Sequence, residues 1–411
     1  IAYLILVFFP GPWLIKTLLI FDKLILLSAR KSKIILTNWS KLSLLLSCLI
    51  LYSLFLNMIL KIISFPVVSI IKLFIILFFS SQIAYSQETF NKYFAKEKGI
   101  VSVMYHRFNE SKYPSTNIQM DVFKNHMKII ETSGYQFLNP TVFPEVFSKE
   151  KLEKKFLLSI DDGYLSFYQH AWPYLKKNKI PFIIFISTEA IGKKGYMGWD
   201  EIKEIEKYDF VTIGNHSHSH DYLVNFSFDE FKEDINKSIA IFKSNLGYNP
   251  IFFSYPFGEW NSKQKEYISK YFDFAFGQHS GVIDLNKDKY ELPRFPINEK
   301  YGDMERFSFL VKLLPLQYKK VYPEEKMLEI NNPPKMKIEF FKDQNINNIN
   351  CFSNEGNGWD QSKLEIKGNF LKINFEDKFN TRRGRINCSL KDEDGWRWFG
   401  IQFVIKNIKE N

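Results

Sequence analysis

Two adjacent carboxylates follow a short apolar run in the middle of the chain. Asp161 and Asp162 come directly after residues 156–160 and precede Gly163. Carboxylates at the end of a buried strand are costly unless they are solvated or used. Because neighbouring side chains point in different directions, one carboxylate can bind a metal ion while the other faces a substrate. An ordinary Asp-Gly turn is the alternative interpretation.

Three of the 7 histidines crowd into five positions after the apolar run at 210–213. His216 and His220 are four residues apart, and on one helical turn this spacing would place both imidazoles on one face, which suits a divalent transition metal. His218 would then point elsewhere. With one aspartate the pair forms an N,N,O ligand set with open positions, where an ion acidifies water and polarises a carbonyl oxygen. A polar loop with incidental histidines is the alternative.

Two further runs end in weaker signals. The first run, Ile100–Tyr105, is followed by His106, and the run at 252–255 is followed by Pro256, Phe257 and Gly258. A lone histidine is more often structural, and a Pro-aromatic-Gly sequence is by itself an ordinary turn that can aim an N–H group at a ligand. Taken with a metal site and a free carboxylate as base, an imidazole acid would complete a set that hydrolyses an amide or ester.

Short apolar runs alternate with amphipathic helical stretches between residues 100 and 297. This alternation predicts an α/β fold with parallel strands, and about seven strands favour a barrel over an open sheet. In a parallel barrel the carboxyl ends of the strands converge on one face, so the polar residues above are expected to meet there. The predicted strands are Ile100–Tyr105, 156–160, Phe182–Ile186, 210–213, 252–255, 272–276 and 292–297.

The rest of the chain differs from this region. Residues 301–335 predict a helical piece followed by a proline-containing linker, and residues 336–411 predict a small all-β domain. This domain carries aromatic and arginine residues that suit either carbohydrate binding or a structural cap: Trp359, Trp396, Trp398, Phe399, Arg382, Arg383 and Arg385. Its two cysteines, Cys351 and Cys388, form either a disulfide or two buried thiols.

The first 86 residues are apolar and basic. Lys72, the apolar run 73–79 and small residues around Ala84 follow the order of a secretory signal peptide, whereas residues 42–60 are long enough for a membrane anchor. Residues 1–57 are interpreted as an over-extended reading frame. Export to the periplasm, the outside or the cell envelope is expected either way. Because this segment carries +7 of the formal net charge of +10, the remainder is nearly balanced and no nucleic-acid partner is expected.

The motifs resemble those of the polysaccharide deacetylases, carbohydrate esterase family four with its NodB homology domain. Asp161-Asp162-Gly163 is similar to the family's Asp-Asp-Gly motif, the sequence 215–220 to its histidine metal motif, and 255–258 less specifically to its Pro-Tyr-Gly motif. The early Tyr105-His106 is similar to the arrangement in bacterial poly-N-acetylglucosamine deacetylases. The resemblance covers roughly residues 100–297 and implies a deacetylase domain at residues 98–300 with a distorted (β/α)7-type barrel.

The resemblance also implies roles for individual residues. Asp161 would be the general base, His106 the general acid with His279 as the alternative, and the Phe257 N–H an oxyanion donor within the turn Pro256–Gly258. Metal ligands, for Zn²⁺ or another divalent ion, would be Asp162, His216 and His220. Ser254 replaces the family's third-motif arginine, and Arg294 is expected to supply that charge from the last strand. Trp199, Tyr196 and Tyr164 would stack on sugars or pack in the core.

The expected function is therefore removal of N-acetyl groups from a GlcNAc-containing polysaccharide, with release of acetate. Two alternatives stay open. One is an O-acetyl esterase acting on an acetylated glycan, since the same site can cut an ester. The other is a non-catalytic glycan-binding protein of the envelope.

Overall fold

The computed structural model describes residues 47, 50–52, 99–148, 154–342, 344–356 and 358–406. The chain divides into two compact units, Ile1–Glu88 and Thr89–Asn411. The signal peptide or anchor predicted for residues 1–86 lies almost entirely outside the described residues. Among the residues that are described, no helix has the length and apolarity needed to cross a membrane.

The second unit is built from short strands and helices that follow one another along the chain. The strands are β1 (Ile100–Tyr105), β2 (Arg107–Phe108), β3 (Asn117–Ile118), β4 (Gln136–Phe137), β5 (Lys155–Ile160), β6 (Phe182–Ile186), β7 (Val211–Asn215), β8 (Phe252–Ser254), β9 (Phe274–Phe276), β10 (Val282–Ile283), β11 (Phe295–Pro296), β12 (Leu314–Pro315), β13 (Lys320–Tyr322), β14 (Met327–Leu328), β15 (Met336–Glu339), β16 (Asn350–Asn354), β17 (Trp359–Gln361), β18 (Lys363–Lys367), β19 (Phe370–Asn374), β20 (Arg383–Lys391) and β21 (Trp396–Ile405). The α-helices are α1 (Met120–Thr132), α2 (Phe143–Phe147), α3 (Trp172–Asn178), α4 (Trp199–Glu206), α5 (Phe228–Leu246), α6 (Ser262–Ile268) and α7 (Met304–Leu310).

The first sheet is a curled, mostly parallel barrel. Its strand order is β10-β1-β5-β6-β7-β8-β9, with β4 paired to β5 and β11 paired to β1. The segment that contains β11 joins the two sides, because Leu292 bridges to Phe276 of β9 and Phe295 pairs with Val103 of β1. All seven predicted strands are therefore present, and the predicted α/β fold with a distorted (β/α)7-type barrel is confirmed.

The strands of the barrel are apolar on both faces, as parallel strands covered by helices must be. Along β6, Ile183 and Phe185 belong to one buried cluster inside the barrel, whereas Phe182, Ile184 and Ile186 belong to another beneath the helices. This alternation follows from the two-residue period of a strand. With both faces filled by carbon, the polar residues are left at the strand ends.

Two further sheets form the C-terminal part. One has the order β12-β21-β20-β16-β17 with β14 on β21, and the other has the order β13-β15-β19-β18. A separate buried cluster fills the space between them, and Cys351 and Cys388 form a disulfide across β16 and β20. The strands β12 to β14 come from residues 301–335, for which the sequence predicts a linker. Each pairs along only two or three residues, too few to leave an alternating pattern in the sequence.

Candidate active site

The polar residues predicted to do chemistry converge at the carboxyl ends of neighbouring barrel strands. His106 follows β1, Asp161 and Asp162 follow β5, and His216 follows β7. Backbone hydrogen bonds continue past the last strand residues, since the Asp161 N–H donates to the Tyr105 carbonyl at 2.8 Å and the His216 N–H to the Ile186 carbonyl at 2.9 Å. These backbone hydrogen bonds at the strand ends therefore fix the backbone positions of Asp161 and His216.

Asp162, His216 and His220 form a compact group of possible metal ligands. One ligand atom from each lies within 4.8 Å of the others. Asp162 Oδ1 is 3.4 Å from His216 Nε2 and 3.1 Å from His220 Nε2. This is a carboxylate and two imidazoles facing a common point, the donor set that divalent transition metals take in proteins.

The hydrogen bonding of this group fits a bound cation. Asp162 Oδ1 and His216 Nε2 are buried, and neither makes a hydrogen bond of acceptable geometry. His216 Nδ1 lies 2.7 Å from the Ser254 carbonyl, which can only accept, so Nδ1 carries the proton and Nε2 presents its lone pair to the pocket. Buried polar atoms without partners are costly, and an ion between them would satisfy both.

The charges of the group also suit a cation. Burial alone would raise the pKa of Asp162, but His220 and His216 lower it by more. The pKa of Asp162 is therefore well below its usual range. Burial lowers the pKa of His220, but the Asp162 carboxylate raises it above its ordinary value. Asp162 therefore stays ionised and can act as the negatively charged ligand of a divalent ion.

The two histidines meet through a loop and not through a helical turn, so the predicted helical turn is wrong. Residues 216–220 have no helical structure, and the backbone φ is 70° at Ser217 and 56° at His220. The two carboxylate oxygens of Asp234 accept the N–H groups of His218 and Ser219 at 2.9 Å each. The imidazole centroids of His216 and His220 are 4.7 Å apart. His218 turns away and contacts the Thr188 hydroxyl, as the sequence predicts.

Asp161 is held by a buried arginine on the opposite side of the pocket. Arg294 binds both carboxylate oxygens, Nη1 to Oδ1 at 2.7 Å and Nη2 to Oδ2 at 2.9 Å. Its remaining donors reach Ser254 Oγ, Ser159 Oγ and the Gly277 carbonyl. Burial raises the pKa of Asp161, but Arg294 and His216 lower it below the usual value. The predicted contribution of Arg294 is present, and it keeps Asp161 ionised.

The turn Pro256–Gly258 borders the histidine side of the pocket in a strained conformation. Phe257 has φ of 60°, and its ring centroid lies 4.8 Å from that of His220 and 4.3 Å from that of Tyr222. Gly258 has φ of 67°, and a Cβ atom there would lie 2.4 Å from the Gln278 backbone nitrogen. Four of the non-glycine residues described with positive φ lie at this pocket or next to it: Asp162, Ser217, His220 and Phe257. Such strain persists only where the surroundings enforce it.

The C-terminal sheet holds this turn. Glu259 is buried and forms a bidentate ion pair with Arg382, with Nη2 to Oε2 at 2.7 Å and Nε to Oε1 at 2.9 Å. Arg383 Nε donates to the same carboxylate at 2.9 Å. Gln402 Nε2 donates to the carbonyls of Phe257 and Gly258, both at 3.1 Å. The end of the turn is thus fixed by side chains that come far later in the chain.

Comparison with known proteins agrees with this arrangement. Residues 148–272 match the polysaccharide deacetylase family model. This part of the chain is therefore similar to the polysaccharide deacetylase family. The chain is 26% identical over 199 residues to a Bacillus subtilis (strain 168) protein described as a polysaccharide deacetylase, YxkH, covering 48% of this chain and 70% of that protein.

A second curated relative and one solved structure are also similar to this chain. A poly-beta-1,6-N-acetyl-D-glucosamine N-deacetylase of Staphylococcus aureus (strain MSSA476) is 23% identical over 246 residues, which covers 53% of this chain and 83% of that enzyme. Among solved structures, IcaB from Ammonifex degensii aligns with a TM-score of 0.46 at 25% identity, covering 52% of this chain and 97% of that one.

The two candidate acids, His106 and His279, occupy different places. His106 follows β1, which pairs in parallel with β5, so it lies at the same strand ends as Asp161 and Asp162. Burial lowers the pKa of His106, although these two carboxylates raise it. His279 instead lines a cavity of about 350 Å³ between the barrel and the C-terminal sheets. Burial and the charges of Lys326 and Arg294 lower the pKa of His279 to about 3. The geometry therefore favours His106 as the acid.

The three aromatic residues predicted to stack on sugars or pack in the core also lie in different places. Trp199 begins α4 and packs against the main core, with its ring edge-to-face on Phe242 at 5.8 Å, which is the core role that the sequence left open. Tyr164 and Tyr196 lie with centroids 4.8 Å apart beside the Asp162 turn, and the Arg107 guanidinium covers the Tyr164 ring at 3.5 Å.

Sequence reasoning missed the residues that support the turn Pro256–Gly258. Glu259 carries no motif of its own. The sequence singles out Arg382 and Arg383 only through their position near aromatic residues, and it gives no signal for Gln402. Their partners are so distant in sequence that only the fold brings them together.

Proposed function

We propose that this chain is a metal-dependent hydrolase that removes N-acetyl groups from a GlcNAc-containing polysaccharide and releases acetate. One observation carries the proposal: an arginine-bound Asp161 lies beside three possible metal ligands, Asp162, His216 and His220, and the facing atoms of the first two are buried without a hydrogen bond. The activity named for the Staphylococcus aureus relative, poly-beta-1,6-N-acetyl-D-glucosamine N-deacetylation, supports the choice of an amide over an ester.

A divalent ion, with Zn²⁺ as the proposed one, would be held by Asp162, His216 and His220 and would supply Lewis acidity toward water and an acetamide carbonyl. Asp161 then acts as the general base. The Asp161 carboxylate stays ionised because it is paired with Arg294. Its Oδ2 also lies 3.8 Å from His216 Nε2, so the carboxylate faces the proposed metal ligands. The carboxylate accepts the proton of the attacking water.

The remaining steps fall to the turn and to His106. The backbone N–H of Phe257 donates to the oxygen that gains negative charge, a contribution worth a few kcal/mol for a donor fixed in advance. His106 gives its proton to the departing sugar amine. Acetate and a free amine on the polymer are the products.

Export is part of the proposal. The basic residue, apolar run and small residues before position 87 have the order of a secretory signal, and the disulfide between Cys351 and Cys388 suits an oxidising compartment. The alternative membrane anchor would keep the same domain at the cell envelope. Detecting the protein in secreted, membrane and cytosolic fractions tests this part, and recovery in the cytosol alone would contradict it.

Acetate release decides the function. The purified chain is incubated with poly-N-acetylglucosamine, chitooligosaccharide, peptidoglycan and an O-acetylated xylan, each with and without chelator, and Zn²⁺ is then restored. We expect acetate from N-acetylated substrates, loss with chelator and recovery with the ion. Release from the O-acetylated glycan alone would show an esterase instead. No release from any substrate, with binding retained, would show a glycan-binding protein.

A further inference from the structure

The outer face of the C-terminal sheet carries a row of side chains that begins at the candidate active site. In register, Gln402 of β21 is opposite Arg385 of β20, Arg385 is opposite Asn354 of β16, and Asn354 is opposite Trp359 of β17. Residues directly opposite each other in paired strands project from the same face. We call Gln402, Arg385, Asn354 and Trp359 the cross-strand row.

The cross-strand row lies on the face away from the apolar core of the sheets. The alternate residues of the same strands, among them Cys351, Ile386, Cys388 and Ile401, belong to the buried cluster between the two sheets. Along β16 burial alternates accordingly, with Asn350 and Phe352 exposed and Cys351 buried. The row therefore lies outside the core between the two sheets.

One end of the row is joined to the pocket. Gln402 is only 1% exposed and donates to the carbonyls of Phe257 and Gly258, while Arg385 Nε donates to Gln402 Oε1 at 3.0 Å. The Phe257 ring in turn contacts His220. Gly400 of β21 packs so closely on the barrel that a Cβ there would lie 2.0 Å from the Ser280 carbonyl. The start of the row is thus fixed against the barrel.

The other end of the row is open. Trp359 is 41% exposed, and Phe352 in the adjacent row, opposite Gln361, is also 41% exposed. With about 4.8 Å between neighbouring strands, three strand intervals place Trp359 roughly 14 Å from Gln402. Amide and guanidinium groups followed by exposed aromatic rings form a surface suited to sugar rings, which present hydroxyl edges and apolar C–H faces.

We propose that the cross-strand row, with Phe352, is a glycan subsite that binds the uncharged, still acetylated part of the polysaccharide while one sugar occupies the pocket. This inference rests on the proposed function. None of the side chains of the row, nor Phe352, is a carboxylate, so the row has no group of its own that would pair with the ammonium groups of a deacetylated stretch. Neutral sugars offer acetamide oxygens to the Asn354 amide and apolar C–H faces to the two exposed rings.

The test compares Trp359→Ala with Trp396→Ala on long and short substrates. Trp396 is the matched control, since it is 38% exposed and lies on the same face at the far end of β21. We expect Trp359→Ala to raise KM for the long polymer about tenfold, the size of one lost aromatic contact. KM and kcat on an N-acetylated disaccharide, which is too short to reach Trp359, should stay at wild-type values. Trp396→Ala should match wild type on both substrates.

A binding measurement separates this inference from the proposed function. In an Asp161→Asn background, affinity for the acetylated polymer should fall about tenfold with Trp359→Ala and remain unchanged with Trp396→Ala. This loss would support the subsite even if the wild-type chain released no acetate. Acetate release that Trp359→Ala leaves unchanged on the polymer, or changes equally on polymer and disaccharide, would overturn the subsite while the deacetylase function stood. Equal affinity for acetylated and fully deacetylated polymer would overturn the uncharged occupant.

Discussion

The two neighbouring carboxylates of the pocket have opposite surroundings. On one side, both oxygens of Asp161 are bound by Arg294, whose other donors are also used by Ser159, Ser254 and the Gly277 carbonyl. On the other side, Asp162 Oδ1 and His216 Nε2 are buried without a hydrogen bond. The half of the pocket at Asp161 and Arg294 is complete, since its polar atoms are hydrogen-bonded within the chain. The half at Asp162, His216 and His220 is unsatisfied, since it contains buried polar atoms without a hydrogen bond.

This difference distinguishes a base from a ligand where the sequence shows only Asp-Asp. A carboxylate paired with a guanidinium stays ionised and fixed in orientation, as a proton acceptor must be. A carboxylate facing two imidazole nitrogens without hydrogen-bond geometry is arranged for an ion. The complete half should therefore govern proton transfer, and the unsatisfied half should govern metal content.

The largest effect is expected from removing a ligand of the unsatisfied half. His216→Ala deletes the Nε2 that faces Asp162, so the chain should lose its metal and its acetate release should fall to background. Elemental analysis of the purified chain and an acetate assay measure both. His218→Ala is the matched control, since His218 lies two residues away and contacts Thr188 instead. Metal retained by His216→Ala at wild-type stoichiometry would contradict the ligand assignment.

Removing the base should separate the two halves. Asp161→Asn keeps the shape of the side chain but abolishes its ability to take a proton, so turnover should fall by about 10²- to 10⁴-fold. Metal content should stay at the wild-type level, because Asp161 is not one of the three ligands. Deacetylation as fast as wild type would make the base assignment wrong, and loss of metal would place Asp161 in the ligand set.

The barrel and the position of these residues at its strand ends could be predicted from the sequence because both depend on local patterns. The apolar run that became β6 and the helical spacing of α5, Phe228–Leu246, appear at the positions predicted. Convergence of His106, Asp162 and His216 follows from parallel strands ending at one face.

Other features could not be predicted, because they depend on contacts between distant segments. The loop at Ser217 and His220 has positive φ values that Asp234 stabilises from α5, and a four-residue spacing alone cannot distinguish it from a helical turn. Likewise, Glu259 meets Arg382 only after the C-terminal sheet has packed on the barrel.

A smaller effect is expected from removing the Arg294 guanidinium that is paired with Asp161. Arg294→Met removes the charge that lowers the pKa of Asp161, so that pKa rises. Because the ionised form is the active base, the acid limb of the kcat/KM profile should move to higher pH, and activity near neutrality should fall by about 10- to 100-fold. Leaving Asp161 buried and unpaired should also cost about 3–5 kcal/mol of unfolding free energy. Arg294→Lys should restore part of both, and an unmoved acid limb would contradict the role of Arg294.

The smallest effect concerns stability and tests the unsatisfied half directly. An ion that binds only the folded chain stabilises it by about 2.7 kcal/mol at a free concentration one hundred times its Kd. Adding Zn²⁺ to metal-free protein should therefore raise the Tm by a few degrees, since the ion satisfies Asp162 Oδ1 and His216 Nε2. Asp161→Asn should show the same rise, because its half of the pocket is complete without the ion. His220→Ala should show a reduced rise or none. A Tm that Zn²⁺ leaves unchanged in wild type would mean that the unsatisfied atoms are not a metal site, and that the contrast between the two halves has another cause.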